Sequence, residues 1–384
     1  MSRMLLSLCL TTASLCLISC GKTDTGGSGD LVVKIGASAP LTGPQAHLGK
    51  DNENGTRLAI DDANAQGITI GGRKVHFEMI SEDDAADPKT GTIVAQKFVD
   101  QKVNGVIGHL NSGTTIPASR IYSEAGIPQI SPSATNPKYT HQGFKTAFRV
   151  MTNDTVQGSE VGRYLVGKLG VKTVAVIDDA SQYGQGLASQ IEEAVKAAGG
   201  TVVTHEHTDD KATDFQAILT NIKAKSPDLI YYGGMDAQGG PMMKQLKALG
   251  LSAKFITGDG GCTTEFLHLS GAEGEGAYCS LPGLPLDKMP KGADFKSRFN
   301  AKYGDIQSYA PYCYDAVMVL IDAMKKADSA DPAKYLPFLA KTDYDGVTSH
   351  IAFDENGDLK SGLITVYQNQ GGKWVPQETL GGTH

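Results

Sequence analysis

The chain has 384 residues, 40% hydrophobic and 20% charged, with a formal net charge of −7. That length and ordinary composition predict two globular domains with separate cores. The acidic balance argues against nucleic acid as a partner and leaves no basic patch for anionic lipid.

The first residues read as an export signal. Arg3 is followed by an uncharged run from Leu5 to Ile18, then Leu17-Ile18-Ser19-Cys20. This run is too short for a membrane span, which needs about 20 apolar residues, and it ends on small residues. Residues 1–19 are therefore expected to be a signal peptide. Leu-Ile-Ser-Cys looks like a bacterial lipobox, which would make Cys20 the lipid-bearing first residue of the mature chain. Residues 20–30, rich in glycine and polar residues, then form a flexible tether. No later segment reads as a span, so membrane contact is expected through the lipid anchor only.

Strand-like and helix-like segments then alternate. Val32–Gly36 reads as a strand, Gly55–Ala65 as an amphipathic helix, Val75–Ile80 as a strand and Lys89–Asp100 as a helix. Val103–Ile107 leads through a turn at Gly108 into a helix ending near Ala125, and Ile127–Ile130 is a further strand. The pattern resumes with Thr173–Ile177, Leu187–Ala198, Thr201–His205, Phe215–Lys223, Leu229–Tyr232 and Gly240–Leu249. Alternating β and α predicts an α/β fold with parallel sheets covered by helices on both faces. The strands are too many for one sheet, so two doubly wound lobes are expected, with ligand at the carboxyl ends of their strands.

Two hydroxyl-rich turns fall at such strand ends, Gly108-His109-Leu110-Asn111-Ser112-Gly113-Thr114-Thr115 and Ile130-Ser131-Pro132-Ser133-Ala134-Thr135. Turns of this kind aim backbone N–H groups and hydroxyls at one point, which suits a carboxylate. Four more strand-end segments complete a candidate site: Leu41 to Gly49, Ser181 to Gly184, Tyr231 to Asp236 and Gly258 to Gly261. Asp259, set between glycines, is placed to approach a ligand closely and to pair with an ammonium. A solvated turn aspartate is the plain alternative.

His205-Glu206-His207 offers metal-type ligands on alternate strand positions, but no third and fourth ligand follow at a metal-site spacing, so no metal is expected. The stripe Val317, Leu320, Ile321 and Met324 reads as a core helix face. G-x-S-x-G, P-loop, H-E-x-x-H, C-x-x-C and G-x-G-x-x-G motifs are absent, so neither an enzyme nor a cofactor is expected. Cys262 and Cys279 are expected to form a disulfide, and Cys313, beside Ala316 and Val317, a free buried thiol.

Taken in order, these residues resemble the leucine/isoleucine/valine-binding protein family of bacterial ABC importers, of the type I periplasmic binding fold. The similarity runs from about Val32 to near Gln370. It is densest at Ser81 to Pro88, Val106 to Leu110, Gln182 to Gly184, Tyr231 to Gly234 and Phe353 to Lys360. The resemblance implies two doubly wound parallel-sheet lobes joined by a hinge. One is 31–152 with a return segment 282–357, the other 153–281 with the C-terminal segment 358–384.

It also implies roles. Ser112 and Thr135 would hold an α-carboxylate. The Ser133 carbonyl, the Thr135 hydroxyl and Asp259 would hold an α-ammonium. Tyr183 would close over the ligand, and Leu48, Leu110, Asn111, Ala134, Met235 and Tyr309 would line the side-chain pocket. The best-known members pair two cysteines where this chain has Ala86 and Asn111, and carry aromatic residues where it has Leu48 and Met235. The implied function is extracytoplasmic capture of an L-α-amino acid, branched-chain or aliphatic, for delivery to an ABC permease by a monomeric receptor. The same fold also serves as the ligand-sensing module of receptors and amide-sensing regulators.

Overall fold

The structure, a computed structural model, describes residues 29–381. The expected signal peptide, Cys20 and most of the tether lie outside the described residues.

In chain order the first half comprises β1 (Leu31–Ala39), α1 (Ala46–Ala65), β2 (Thr69–Ile70), β3 (Arg73–Asp83), α2 (Pro88–Asp100), β4 (Gly105–Gly108), α3 (Ser112–Glu124), β5 (Gln129–Ser131) and β6 (Ala147–Arg149). There follow α4 (Asp154–Gly167), β7 (Thr173–Asp178), α5 (Gln182–Ala197), β8 (Thr201–His207), α6 (Gln216–Lys225), β9 (Leu229–Gly233), α7 (Asp236–Ala248), β10 (Lys254–Thr257), α8 (Thr264–Ser270) and β11 (Tyr278–Pro282). The last part holds α9 (Gly292–Tyr303), α10 (Ala310–Lys326), α11 (Pro332–Leu339), β12 (Asp343–Asp345), β13 (His350–Ala352), β14 (Leu363–Asn369) and β15 (Trp374–Gly381).

The strands form two main sheets. The first has the order β2-β3-β1-β4-β5-β6, parallel from β3 to β6. The second has the order β15-β14-β11-β10-β9-β7-β8, parallel from β11 to β8 and capped by the antiparallel pair β14 and β15. Strands with helices on both faces lose water on both sides, and β4 and β9 accordingly read as unbroken apolar or glycine runs, fully buried.

The helices obey ordinary local rules. The Ser181 hydroxyl caps α5 by accepting from Gly184 N at 2.9 Å, and the helix buries Tyr183, Leu187, Ala188, Ile191 and Val195 on one face. Helix α10, from the last third of the chain, lies along α1 beside the first sheet. There the Asp51 carboxylate of α1 accepts from the N–H groups of Ser308, Tyr309 and Ala310, fixing where α10 begins.

One expectation is corrected. Helix α1 begins at Ala46, nine residues before the expected start at Gly55, so Leu48 lies on its inward face and is fully buried in the core. Each sheet keeps an apolar cluster of its own, around Phe98 and Tyr122 in the first and Phe255 and Phe266 in the second, and a larger one spans both. One continuous apolar cluster runs from Val33 and Ile35 through Leu110, Tyr183, Met235 and Tyr309 to Val174 and Ile256. Apolar side chains from both sheets meet in the cleft and join the two interiors.

Candidate functional site

Each sheet has a switch point. In the first, β1 is flanked by β3 and β4, and in the second β7 is flanked by β9 and β8. Connections leave opposite ways from such strands and open a crevice at their carboxyl ends. The loops after β4 and β5 face those after β7, β9 and β10. Between them lies a chamber with free space of about 230 Å³.

Eight of the eleven expected ligand residues line that chamber: Leu110, Asn111, Ser112, Ser133, Tyr183, Met235, Asp259 and Tyr309. Leu48, Ala134 and Thr135 are not among its lining residues, and all three are buried. For Leu48 the cause is the early start of α1, which turns the side chain into the core rather than toward the cleft.

The first side of the chamber is rich in donors. Ser112 opens α3, so its N–H groups are among the unpaired first donors of a helix. The Ser112 hydroxyl accepts from Asn136 N at 3.3 Å, which links the α3 start to the turn after β5. That turn is braced by the Ser131 hydroxyl, which accepts from Ala134 N at 2.9 Å and donates to the His109 carbonyl at 3.1 Å. Asn52 donates to the Ser133 hydroxyl at 3.2 Å. The Asn111 amide oxygen is buried without a hydrogen-bond partner, as is the Tyr231 hydroxyl of β9. Buried polar atoms are normally paired, so these two hydrogen-bonding groups remain available to a partner.

The opposite side is acidic. Asp259 is 2% exposed and accepts from the hydroxyls of Tyr183 and Tyr309, each at 2.9 Å, and from Gln157 at 3.2 Å. Burial pushes its pKa up, and the two tyrosine hydroxyls hold it back. No Lys, Arg or His among the described residues pairs with it. Gly260 allows this approach: a Cβ there would sit 2.7 Å from Met235 Sδ and 2.9 Å from the Tyr183 ring. Asp154, at the start of α4, is also fully buried, with the Thr135 hydroxyl as its hydrogen-bonding neighbour. Burial, and then the charge of Asp259, push its pKa up to about 8. With its pKa near 8, Asp154 is mostly protonated at neutral pH, which leaves Asp259 as the negative charge on this side of the chamber.

Three contributors escape sequence reasoning. Arg149, fully buried, donates to the carbonyls of Ala134 at 2.8 Å and Asn136 at 3.0 Å while paired with Asp358. It thereby fixes the turn holding Ser133 and Thr135. Asp154 and Gln157 belong to a helix whose only sequence signal was the Asn153 cap, which accepts from Val156 N at 3.2 Å. Past Asn111 and Met235 the chamber opens into a cleft with free space of about 900 Å³, bordered by Gln45, Ala86, Ser181 and Asp210. Ala86 and Asn111 both face this cleft. Cys262 and Cys279 are bridged, with Cα atoms 5.3 Å apart, and Cys313 is a buried free thiol.

Contacts from side to side hold the cleft shut in this structure. Asn136 donates to the Gln182 carbonyl at 2.6 Å, Thr264 to Gln307 at 2.8 Å, and His47 lies 2.7 Å from Asp236.

Comparison with known proteins agrees with this geometry. The model of the periplasmic binding protein family matches residues 32–373. A leucine-, isoleucine-, valine-, threonine- and alanine-binding protein of Pseudomonas aeruginosa is 34% identical over 337 residues, covering 88% of this chain and 89% of the relative. A Leu/Ile/Val-binding protein homologue of Brucella suis is 35% identical over 344 residues, covering 89% of this chain and 92% of the relative. Among solved structures, the branched-chain amino acid transporter substrate-binding protein of Streptococcus pneumoniae in complex with isoleucine superposes with a TM-score of 0.83. It is 29% identical, covering 91% of this chain and all of that one. A leucine-binding protein of Thermotoga maritima gives a TM-score of 0.84 at 28% identity, covering 91% of this chain and 98% of that one. The chain belongs to the periplasmic binding protein family, among its Leu/Ile/Val-binding members, and its fold is the type I periplasmic binding fold.

Proposed function

We propose that this chain captures a free L-α-amino acid of aliphatic or branched-chain type between two closing lobes and delivers it to an ABC import permease. The observation that carries the reading is Asp259, a buried carboxylate with no cationic partner, facing the hydroxyl-rich start of α3 across the chamber between the two sheets. The relatives named for leucine, isoleucine and valine binding support it, as does the isoleucine complex of the Streptococcus structure.

In this reading the α-carboxylate lies at the α3 N-terminus, held by Ser112, its neighbouring N–H groups and the Thr135 hydroxyl. The α-ammonium takes the Ser133 carbonyl, the Thr135 hydroxyl and Asp259. Charge-assisted hydrogen bonds of this kind are the stronger ones and specify both ends of the zwitterion. Tyr183 covers the ligand while holding Asp259 in place. Leu110, Asn111, Met235 and Tyr309 surround the side chain, with Leu48 and Ala134 packing behind. No catalytic role is assigned, because the site holds charge and shape without an activated nucleophile.

The lobes would be 31–152 with 282–357, and 153–281 with 358–384. Ligand contacts from both favour the closed form, because a ligand shifts an equilibrium by its differential affinity for the two states. Among the described residues no helix is long and apolar enough to cross a membrane. Attachment is assigned to a lipid on Cys20, with the receptor acting as a monomer beside its permease.

A thermal-shift screen of the twenty amino acids tests the reading. Tight binding stabilises the native state by an amount that grows with the logarithm of ligand concentration over Kd. Leucine, isoleucine or valine should raise Tm by several degrees at millimolar concentration. A flat response to every amino acid would overturn the assignment.

A further inference from the structure

Outside the cleft interior, the structure assembles a cluster that the sequence alone did not reveal. His205 and His207 lie on alternate positions of β8, the last strand of the second sheet, and so share a face. The third ligand that was missing from the sequence pattern is Asp178, at the end of the neighbouring β7. His205 Nε2 lies 2.7 Å and His207 Nδ1 2.8 Å from the same oxygen, Asp178 Oδ2. The three donor atoms are all within 4.8 Å of one another.

We propose that Asp178, His205 and His207 form a binding site for a divalent transition-metal cation of the zinc class, with solvent completing the coordination. Imidazole and carboxylate ligands suit zinc and its first-row neighbours.

A second contact supports the assignment independently. His205 Nδ1 lies 2.7 Å from Glu192 Oε2 on α5. As an imidazolium His205 donates to both Glu192 and Asp178, and a divalent cation would take the place of the Nε2 proton between the ring and Asp178. A metal-bound histidine usually donates its other N–H to a carboxylate in this way, which orients the ring and raises its basicity.

The geometry needs an adjustment. Ligands about 2.1 Å from a tetrahedral ion stand about 3.4 Å apart, wider than the 2.7 and 2.8 Å between Asp178 Oδ2 and the two imidazoles. Asp178 is 1% and His205 22% exposed at the side chain, while His207 is 61% exposed. His207 is therefore free to swing outward and gives the ion an entry path from solvent. The Asp178 carboxylate is anchored by its other oxygen, which accepts from Ala180 N at 2.8 Å in the loop leading to Tyr183. A cation here would tie β7, the edge strand β8 and, through Glu192, helix α5 together at the rim of the cleft.

The test is calorimetric titration of zinc chloride into the mature protein, free of any histidine tag, in a non-chelating buffer at pH 7.5. One zinc per chain is expected. His207→Ala, at an exposed position, should weaken binding by at least tenfold. Glu192→Gln should weaken it by about tenfold or more, as loss of an outer-shell carboxylate does. X-ray absorption should report imidazole nitrogen and carboxylate oxygen around the ion. Absence of zinc binding, or unchanged binding in His207→Ala, would overturn the proposal. The same titrations with leucine should be unaffected by His207→Ala, which separates this site from the amino-acid site.

Discussion

His47 and Asp236 meet across the cleft: His47 Nε2 lies 2.7 Å from Asp236 Oδ2, joining α1 of the first sheet to the start of α7 of the second. Asp236 is fully buried, and Thr263 donates to the same oxygen at 2.6 Å. Burial works against a charged His47, but the hydrogen bond and charge of Asp236, with help from Glu265 and the Pro44 carbonyl, raise its pKa above the ordinary 6.5. His47 and Asp236 come from opposite sides of the cleft, so parting the lobes would break the contact, and closing would take up protons where a solvated His47 is neutral.

The sign follows from linkage. A histidine whose pKa is raised in the closed form favours that form fully below its ordinary value and loses the effect as pH rises through the raised one. Ligand affinity should therefore fall between about pH 6.5 and the upper end of that window, and His47→Gln should flatten the curve. Calorimetry with leucine from pH 6 to 8.5 checks this. Identical slopes for wild type and His47→Gln would remove the latch from the account.

Arg149 carries the turn that holds Ser133 and Thr135. Arg149→Met leaves Asp358 buried without its partner and releases two carbonyls, an arrangement that costs about 3–5 kcal/mol. Urea unfolding should show this loss, and a second change at Asp358 to leucine should recover part of it. A loss below about 1 kcal/mol for the single variant would show that the ion pair is not needed for the turn.

The bridge between Cys262 and Cys279 closes a loop with a sequence separation of 17. Replacing both with serine should cost about 3 kcal/mol, read as a lower Tm in non-reducing buffer. Burial pushes the Cys313 thiol well up, so it should resist alkylation until the protein unfolds. Rapid labelling of Cys313 in the native protein would contradict the packing of α10 on α1.

Much of the site was legible because doubly wound folds put ligands at strand ends, and strand ends are easy to find in sequence. The turns at Ser112 and Ser133, the glycine-flanked Asp259 and the loops at Tyr183 and Met235 converge for that reason. What was not legible depends on long-range pairing. Arg149 reads as one charged residue in a short strand until Asp358, more than two hundred positions away, folds onto it. Asp178 looks like an ordinary strand-end acid until β8 pairs beside β7 and brings His205 and His207 to it. The start of α1 at Ala46 was not legible because polar and glycine residues there mask the helical period.

Selectivity follows from the walls. Met235 is flexible and Asn111 carries an amide, and beyond them the cleft widens past Ala86. A hydrophobic pocket separates ligands that differ by one methylene by only about 1–3 kcal/mol. Leucine, isoleucine, valine and alanine should compete within that range. Leucinamide and 4-methylpentanoate should bind far worse, since each leaves one half of the zwitterion clamp unpaired. Strong binding of either would contradict the clamp.

The most direct measurement is calorimetric titration of leucine into Asp259→Asn, with thermal unfolding as a check that the fold survives. The substitution keeps the shape of the side chain and an acceptor for one of the two tyrosine hydroxyls, but removes the charge that faces the ammonium. Loss of one partner of a buried charged pair costs about 3–5 kcal/mol, a weakening of at least about a hundredfold. The account predicts that loss with Tm nearly unchanged in the absence of ligand. A folded Asp259→Asn protein that binds leucine within a few fold of wild type would contradict it.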